Sequence, residues 1–144
     1  MTTKTTTIQI ISNPEEMSLH FDLVNQLGYP SSKEEYLRLL TEMTNNGYQQ
    51  IACWYDGNCV GIAGFWINTK LYSGKYMDVD NVIVNDKMRG LGIGEKMMTF
   101  LEEHAIVNDC KSIVLDAFRE NEAAHKFYHR IGYHIKGFHF SKDF

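Results

Sequence analysis

Apolar positions recur along this chain with two periods, about two residues in some segments and about 3.6 in others. The first predicts strands and the second predicts helices, and the two kinds of segment alternate. Ile8 to Ile11 is apolar with one interruption and predicts a first strand. One helix is predicted from Asn13, a capping residue followed by Pro14 at the first helical position, until 28–30. A second helix begins with a capping box at Ser32 and ends at 45–47.

The next part of the chain predicts three strands in succession. They are Tyr48 to Tyr55, Cys59 to Asn68 and Tyr76 to Val84. The first two are joined by Asp56-Gly57-Asn58, and Asp-Gly between two β-rich runs is a strong hairpin signal. The remaining elements are a helix with Ile93, Met97, Leu101 and Ala105 on one stripe, a strand from Ser112 to Phe118, a helix from about Asn121, and a last strand from Tyr133 to Phe140.

This order, βααβββαβαβ, predicts an α/β fold. The middle strands form antiparallel hairpins, whereas a strand, a helix and a strand in succession imply a right-handed parallel pair. We therefore expect a mixed sheet with helices on both faces. The length of 144 residues suits a single domain, 1–144, with a frayed end at 1–7.

The composition excludes several classes of protein. A net charge of −4 without a block of basic residues argues against nucleic acid as the main partner. No apolar run approaches the length of a membrane span, and the polar start of the sequence lacks the apolar core of a signal peptide. The cysteines are odd in number, Cys53, Cys59 and Cys110, and form no C-x-x-C pair. Free thiols in the cytoplasm are expected.

A glycine-rich segment between the fourth strand and its helix carries the first chemical signal. Gly90, Gly92 and Gly94 leave backbone N–H groups uncovered at the start of a helix, where the helix dipole favours negative charge. Arg89 adds a positive charge. The segment predicts a phosphate site, although a glycine loop that only turns the chain is the plainer alternative. It matches neither the dinucleotide fingerprint nor the Walker loop, because Glu95 stands where each requires another residue.

The pattern that does match is Arg-x-x-Gly-x-Gly, given by Arg89, Gly92 and Gly94. It resembles the acetyl-CoA pyrophosphate motif of the GNAT superfamily of acyl-CoA-dependent N-acyltransferases. The predicted order of elements is similar to the GNAT fold over nearly the whole chain. The resemblance implies a mixed central sheet of six to seven strands flanked by about four helices.

A second segment, Asn121 to Tyr133, resembles the C-terminal GNAT motif. There an asparagine opens a helix, an Ala-x-x-Phe-Tyr run follows, and Gly-Phe/Tyr begins the last strand. The resemblance implies that Asn121 contacts pantetheine and that Tyr128 directs its phenol at the cofactor sulfur. Full proton transfer from a tyrosine to a thiolate would cost about 2 kcal/mol, so hydrogen-bond donation is the expected role. Without the two motifs, Tyr128 would be read as a core residue.

The resemblance also implies that backbone amides at the end of the fourth strand pair with pantetheine. The coenzyme A contacts that it assigns are Val82, Ile83, Val84, Arg89, Gly90, Leu91, Gly92, Ile93, Gly94, Asn121, Ala124, Phe127 and Tyr128.

The expected catalytic base is a carboxylate. Many GNAT members use one on the fourth strand, or a water held by one, and Asp78 lies eleven residues before Arg89, as that carboxylate does in some members. Asp80 is two residues further and shares its face of the strand. The alternative is a pair of hydrogen-bonded structural carboxylates. Asp116 and Glu120 are further candidates.

Histidines give no clear metal signal. His125 and His129 are four apart on one predicted helix, but Lys126 replaces the glutamate of H-E-x-x-H, so no metal is expected. His134 and His139 lie on the last predicted strand, which in GNAT members often borders the acceptor pocket.

The sequence is thus identified as a cytoplasmic GNAT-type N-acetyltransferase. We expect it to move acetyl from acetyl-CoA to a primary amine, a small cationic one, by direct attack in a ternary complex. The first alternative is a non-catalytic acyl-CoA-binding sensor or regulatory module, and the second a nucleotide-binding α/β protein. The expected partner is a small-molecule amine rather than nucleic acid or a membrane, and a homodimer stays open. The acceptor's identity and the choice of base also stay open.

Overall fold

The computed structural model describes residues 5–144 and contains five strands and five α-helices within them. The strands are β1 (Thr6–Ile11), β2 (Gln49–Tyr55), β3 (Asn58–Lys70), β4 (Gly74–Val84) and β5 (Ser112–Leu115). The α-helices are α1 (Pro14–Ser18), α2 (Phe21–Val24), α3 (Lys33–Asn45), α4 (Ile93–Val107) and α5 (Glu122–Arg130). Short 3-10 helices occupy Asn25–Leu27 and Asp86–Met88. Internal contacts divide the chain into two compact units, one ending at Val114 and one from Leu115 to Phe144.

The strands form one sheet in the order β1-β2-β3-β4-β5. The pairs β1–β2, β2–β3 and β3–β4 are antiparallel. Strands β4 and β5 are neighbours joined by α4, and a helical crossover of this kind joins parallel strands. The predicted mixed sheet is therefore confirmed.

The hairpin between β2 and β3 also forms as predicted. Asp56 has φ 50° and Gly57 has φ 77°, so both central residues adopt positive φ. This is the backbone of the two-residue turn that fits the twist of paired strands, and it explains why Asp-Gly stands there.

Three predicted helix starts carry the expected side-chain caps. The Glu16 N–H donates to the Asn13 side chain at 3.0 Å, and the Glu35 N–H donates to the Ser32 hydroxyl at 3.1 Å. Asn121 accepts from the Ala124 N–H at 3.1 Å in the same way. Short polar side chains can reach the unpaired N–H groups of a first turn, which is why these starts are visible in sequence.

The single helix predicted after Asn13 is wrong, because the structure divides it into α1 and α2. The Ser18 hydroxyl donates to the Glu15 carbonyl at 2.7 Å. The N–H groups of Leu19 and His20 then bond three residues back, at 3.2 and 3.1 Å, and His20 leaves helical geometry with φ −98° and ψ 23°. Serine competes with the helix backbone for its carbonyls, and here the α-helix ends at Ser18.

Helices pack on both faces of the sheet. On one face, buried residues of α1, α2 and α3 form a core cluster with Ile62 of β3 and Ile83 of β4. On the other face lies α4, whose Met97 sulfur is so close to Gly61 that a methyl group there would overlap it. Successive strand residues point to opposite faces, so Gly61 and Ile62 mark the two sides. The apolar stripe predicted for α4 is buried, as Ile93, Met97, Leu101 and Ala105.

The sheet differs from the prediction at its two ends. Strand β1 begins at Thr6, within the stretch predicted to fray, because Thr6 and Thr7 pair with Tyr55 and Trp54; residues 1–4 lie outside the described part of the chain. The last strand, predicted at 133–140, is absent, and β5 ends at 115. An alternating pattern becomes a strand only where a neighbour supplies ladder hydrogen bonds, and within 5–144 none is formed by 133–144. Five strands therefore replace the expected six to seven.

Candidate functional site

A bulge divides β4 into two halves. The register pairs Asp80 with Gly64 and Ile83 with Ile62, so one β3 residue lies opposite two residues of β4. The first of these, Asn81, has φ 53°, a conformation that asparagine adopts more readily than most residues. Such a bulge disrupts the ladder and bends the strand. We call residues 76–80 the acidic half of β4 and residues 82–84 its backbone half.

In the acidic half, Asp78 and Asp80 are half-buried on one face of the strand. Asp80 is paired across the ladder with Gly64, which lies two residues from Ile62 on β3. Both aspartates therefore point to the face that carries the core cluster beneath α1, α2 and α3. Two carboxylates at this depth have to be solvated or paired, and both interact with neighbouring groups.

The backbone half of β4 runs past the end of β5. The Lys111 N–H donates to the Lys75 carbonyl at 2.7 Å, so β5 starts beside the first residues of β4. Strand β5 has four residues and so extends ~13 Å from this point. Val82 lies ~23 Å from Lys75 along β4 and is therefore beyond the end of β5. Beyond β5, residues Val82 to Val84 extend with Ile83 buried and its two neighbours half-buried.

Gln26, which the sequence reasoning missed, holds the end of this half. Its Nε2 donates to the Val84 carbonyl at 3.2 Å, and its Oε1 accepts from the Asp86 N–H at 3.3 Å. One amide thus replaces a peptide unit of a neighbouring strand. No local pattern around Gln26 indicates this, because its partners are about sixty residues away in the sequence.

The glycine segment that follows is open on its outer side. Gly90 and Gly92 have φ 81° and 77°, and a Cβ at either position would meet no heavy atom within 4 Å. These glycines are therefore required by backbone conformation and not by packing within the protein. Arg89 forms an ion pair with Asp86, 2.6 Å between Nη2 and Oδ1, with 71% of its side chain exposed. An exposed pair of this kind is worth ~1 kcal/mol or less, so the guanidinium is readily released to another anion.

Helix α4 begins at this segment without a side-chain cap. Gly92 is its N-cap residue and Ile93 its first residue, while Gly94 lies in its first turn. The first N–H groups of a helix have no intrahelical partner, and its fifteen residues align their dipoles behind them. A phosphate group requires N–H donors and room to approach them. The uncapped N–H groups supply the donors, and the glycines and the open space beside them supply the room. The predicted pyrophosphate residues fit that chemistry.

The unit from Leu115 to Phe144 holds the second predicted set. Asn121 is used as the cap of α5, and Ala124 and Phe127 are half-buried. The Tyr128 ring packs edge-to-face with Phe127 and with Tyr133, at 5.1 and 5.8 Å between ring centroids. Burial raises the pKa of Tyr128 above its ordinary value. A phenol of this kind keeps its proton and acts as a hydrogen-bond donor.

Four other polar candidates in this unit, His125, His139, Asp116 and Glu120, have partners within it. A ring nitrogen of His125, Nε2, lies 2.8 Å from the Phe118 carbonyl oxygen. His139 Nδ1 lies 3.2 Å from a carboxylate oxygen of Asp116, one of the further base candidates. Glu120 forms an exposed ion pair with Arg119. Residues 5–144 contain no group of three or more side chains arranged to hold a metal ion.

All three cysteines are free thiols. Burial raises the pKa of Cys53, and it raises the pKa of Cys59 to about 11. It also raises the pKa of Cys110, with Lys75 opposing the effect. Because the thiolate is the nucleophilic form, these environments make the thiols poor nucleophiles.

The site geometry agrees with a comparison against known families. The sequence model of the Acetyltransferase (GNAT) family matches residues 16–133 of this chain. The chain belongs to the GNAT acetyltransferase family. The match covers both the glycine segment and the Asn121 motif.

Two curated relatives are similar along most of their length. The spermine/spermidine N(1)-acetyltransferase of Bacillus subtilis is 29% identical over 118 residues, which are 78% of this chain and 76% of the relative. The glucosamine 6-phosphate N-acetyltransferase of Arabidopsis thaliana is 28% identical over 131 residues, 85% and 86% of the two chains. The family and these relatives identify the protein as an acyltransferase enzyme, which disfavours the non-catalytic alternative.

Solved structures show the same fold. An aminoglycoside N-acetyltransferase in complex with CoA superposes with a TM-score of 0.83 over 99% of this chain and 97% of its own, at 15% identity. The Arabidopsis thaliana glucosamine-6-phosphate N-acetyltransferase gives a TM-score of 0.76 over 97% and 99% of the two chains, at 25% identity. Within residues 5–144, no helix has the length and apolar character needed to cross a membrane.

Proposed function

We propose that this enzyme transfers the acetyl group of acetyl-CoA to a small cationic amine in the cytoplasm, by direct attack within a ternary complex. The observation that carries the proposal is the bulge in β4. It separates two half-buried aspartates from a stretch of strand whose backbone extends beyond β5 and leads into an uncapped helix.

On the donor side, the first turn of α4 and the glycines before it bind the pyrophosphate of the coenzyme. Gly90 and Gly92 leave room for close approach, and Arg89 exchanges its exposed carboxylate partner for phosphate oxygens. The backbone amides of residues 82–84 pair with the amides of pantetheine. Gln26 supports this role because it fixes the carbonyl of Val84 and so the direction of the strand end.

Tyr128 serves the leaving group. When an amine attacks the thioester, the C–S bond breaks and the sulfur departs with its electron pair as a thiolate. Burial raises the pKa of Tyr128, so full transfer of its proton becomes costlier than for an ordinary tyrosine. Donation of an O–H hydrogen bond to the developing negative charge is the role that this environment favours.

Asp78 and Asp80 receive the acceptor. An amine is mostly ammonium at neutral pH and has to lose a proton before it attacks. Carboxylates attract the ammonium and accept that proton, directly or through a water. Of the two relatives, the first is named for spermine and spermidine, which are cationic, and the second for glucosamine 6-phosphate, which carries an anion. Two aspartates and a net charge of −4 favour the cationic class.

Direct attack is supported by the cysteines. A route through an acyl-cysteine requires an accessible thiolate, and burial raises the pKa of Cys110 as well as those of Cys53 and Cys59. Neither Cys53 nor Cys59 adjoins the aspartates in the sheet, since both lie nearer the β2–β3 hairpin. The amine therefore attacks the thioester itself.

An acceptor panel with detection of the released thiol tests the proposal. The panel holds acetyl-CoA constant and compares spermidine, glucosamine 6-phosphate and a peptide with a free N-terminus. We expect thiol release with spermidine at a kcat/KM at least about tenfold above the anionic sugar, a difference of ~1.4 kcal/mol. Reaction with the anionic or neutral amines alone would contradict the cationic acceptor. Absence of thiol release with every amine would contradict acetyl transfer.

A further inference from the structure

A row of side-chain positions crosses the sheet on the face beneath α3. The register places Ile11 beside Gln50, Gln50 beside Gly64, and Gly64 beside Asp80. Gln50 and Asp80 therefore flank a residue that has no side chain. Gln50 is 2% exposed, an unusual degree of burial for an amide.

The space above Gly64 is filled by Tyr48. A methyl group at Gly64 would overlap the Tyr48 phenol oxygen and the adjacent ring carbons. The phenol oxygen thus lies where a side chain of Gly64 would begin. Cβ atoms directly opposite each other on antiparallel strands are ~5 Å apart, so this oxygen is within reach of the Asp80 carboxylate. Tyr48 is also packed against Trp66, at 5.1 Å between ring centroids.

The Gln50 amide holds this phenol from the other side. Its Nε2 donates to the Tyr48 oxygen at 3.1 Å and to the Tyr36 oxygen at 2.9 Å. Both phenols accept from the amide, so each keeps its own O–H for another acceptor. For Tyr48, the group that lies across Gly64 on the next strand is the Asp80 carboxylate, which can act as an acceptor. We call Tyr36, Tyr48 and Gln50 the phenol–amide cluster.

The orientation of the Gln50 amide determines the direction of these hydrogen bonds. Gln50 Oε1 is buried and has no hydrogen-bond partner among residues 5–144. Turning the amide over would let both phenols donate to Oε1, but it would leave Nε2 unpaired instead. The two orientations therefore differ in where the Tyr48 proton points. Only the observed one leaves it for Asp80.

We propose that Tyr48, held by Gln50, donates a hydrogen bond to the Asp80 carboxylate and makes Asp80, rather than Asp78, the group that receives the acceptor ammonium. This inference rests on the proposed function and deepens it. Tyr48 and Gln50 are positioning residues, because they act through Asp80. The hydrogen bond fixes the carboxylate and favours its ionised form. Asp78 lies opposite Trp66, one pleat repeat (~7 Å) along β4 from Asp80, and not opposite Gly64, over which the phenol oxygen lies.

Titratable side chains on the same face of the sheet surround this carboxylate. They include Tyr48 above Gly64, Tyr36 on α3 behind Gln50, and Asp78 on the same face of β4. Burial, first of all, raises the pKa of Tyr48 far above its usual value, and that of Tyr36 is raised as well, so both stay neutral near pH 7. Below pH 9, Tyr36 and Tyr48 therefore act on Asp80 as neutral phenols and not as charges.

Carbon-13 NMR titration of the aspartate carboxyl groups tests the inference in the protein without substrates. Removal of the hydrogen bond in Tyr48→Phe should raise the pKa of Asp80 by about one unit, assigned with Asp80→Asn. Tyr36→Phe is the matched control, since it removes a phenol oxygen from the same buried amide but not the one above Gly64. The change in the pKa of Asp80 in Tyr36→Phe should be less than about a third of the change in Tyr48→Phe. The low-pH limb of kcat/KM should move with the Asp80 titration in Tyr48→Phe.

The outcomes are distinguishable. An unchanged Asp80 titration in Tyr48→Phe, or an equal shift in both variants, overturns the inference. If Tyr48→Phe does not fold, Gln50→Met removes the amide that holds the phenol, and an unchanged Asp80 titration there overturns it as well. A wild-type enzyme without turnover on any amine would instead refute the proposed function, and the NMR titration would still decide whether Tyr48 bonds to Asp80.

Discussion

The two halves of β4 differ in which part of the strand carries the chemistry that we propose, the side chains or the backbone. Before the bulge, the chemistry lies in side chains, with Asp78 and Asp80 facing the helices α1 to α3. After it, the side chains are ordinary apolar residues and the backbone carries the function that we propose. In the function that we propose, a strand with one extra residue at Asn81 presents carboxylates to the amine and backbone amides to the coenzyme.

This difference teaches that the two substrates should respond to different mutations. A change of side chain in the acidic half should affect the amine and leave the coenzyme alone. In the backbone half and the glycine segment, most side chains are replaceable, but a change in backbone conformation or access should affect the coenzyme. The following predictions test that division, from the largest expected effect to the smallest.

Asp80→Asn should lower kcat/KM for the amine on the order of a thousandfold, because it removes the group that binds the ammonium and accepts its proton. The dissociation constant of acetyl-CoA should stay unchanged. Asp78→Asn is the matched control on the same face and should have a smaller effect. Steady-state kinetics with spermidine measure both, and an equal loss in the two variants would contradict the choice of Asp80.

Tyr128→Phe should lower kcat on the order of a hundredfold with a smaller change in KM for acetyl-CoA. The phenol matters most when the sulfur gains negative charge, which happens only in the transition state. Tyr133→Phe, which removes a phenol from the neighbouring ring, is the control. Near-normal turnover of Tyr128→Phe would assign Tyr128 a packing role.

Alkaline pH should destabilise the protein through the two buried phenols of the phenol–amide cluster, which lie beside the acidic half. Below about pH 10 the phenols of Tyr36 and Tyr48 are protonated in both the folded and the unfolded state. Above it the unfolded chain loses these protons while the folded chain keeps them, since burial raises both pKa values. The free energy of unfolding should therefore fall above pH 10, for each phenol by up to about 1.4 kcal/mol per pH unit until the folded form also loses that proton.

Urea unfolding of wild type and Tyr48→Phe between pH 9 and 11 measures this slope. The variant should lose the contribution of one phenol. Tyr29→Phe, at a residue that is 50% exposed, is the control and should keep the wild-type slope. Parallel slopes for wild type and Tyr48→Phe would contradict the burial of a neutral phenol over Gly64.

Arg89→Ala should weaken acetyl-CoA binding by only about fivefold at low salt, because its side chain is exposed and screened. The difference from wild type should shrink as the salt concentration rises. Arg38→Ala is a matched control, since Arg38 forms a similar ion pair with Glu35, three residues away on α3. A loss that does not depend on salt would contradict the proposed contact with phosphate.

Local signals were sufficient for much of the fold. Asn13, Ser32 and Asn121 cap helices with side chains that reach only three residues, and the Asp56-Gly57 turn depends on two positive φ values. Such interactions lie within a few residues of the sequence and can be read from it. For the same reason, the start of α4 at the glycine segment was visible.

Features that depend on distant partners were not predictable. The bulge at Asn81 depends on the register between β3 and β4, and the presence of an asparagine is not sufficient to predict it. Gln26 finds its partners about sixty residues away, and the phenol–amide cluster joins α3, β2 and the residue before β2. The strand predicted at 133–140 is the opposite case. Its alternating pattern is present in the sequence, but among residues 5–144 no neighbouring strand pairs with it.

Isothermal titration of acetyl-CoA into wild type, Gly92→Val and Asp80→Asn tests the division of β4 most directly. Gly92 has φ 77° and open space beside it, so a branched side chain there strains the turn and blocks the approach of phosphate. We predict a dissociation constant at least about tenfold weaker for Gly92→Val, with thermal unfolding as the check on folding, and an unchanged value for Asp80→Asn. Unchanged affinity in a folded Gly92→Val, or equal weakening in both variants, would contradict the account.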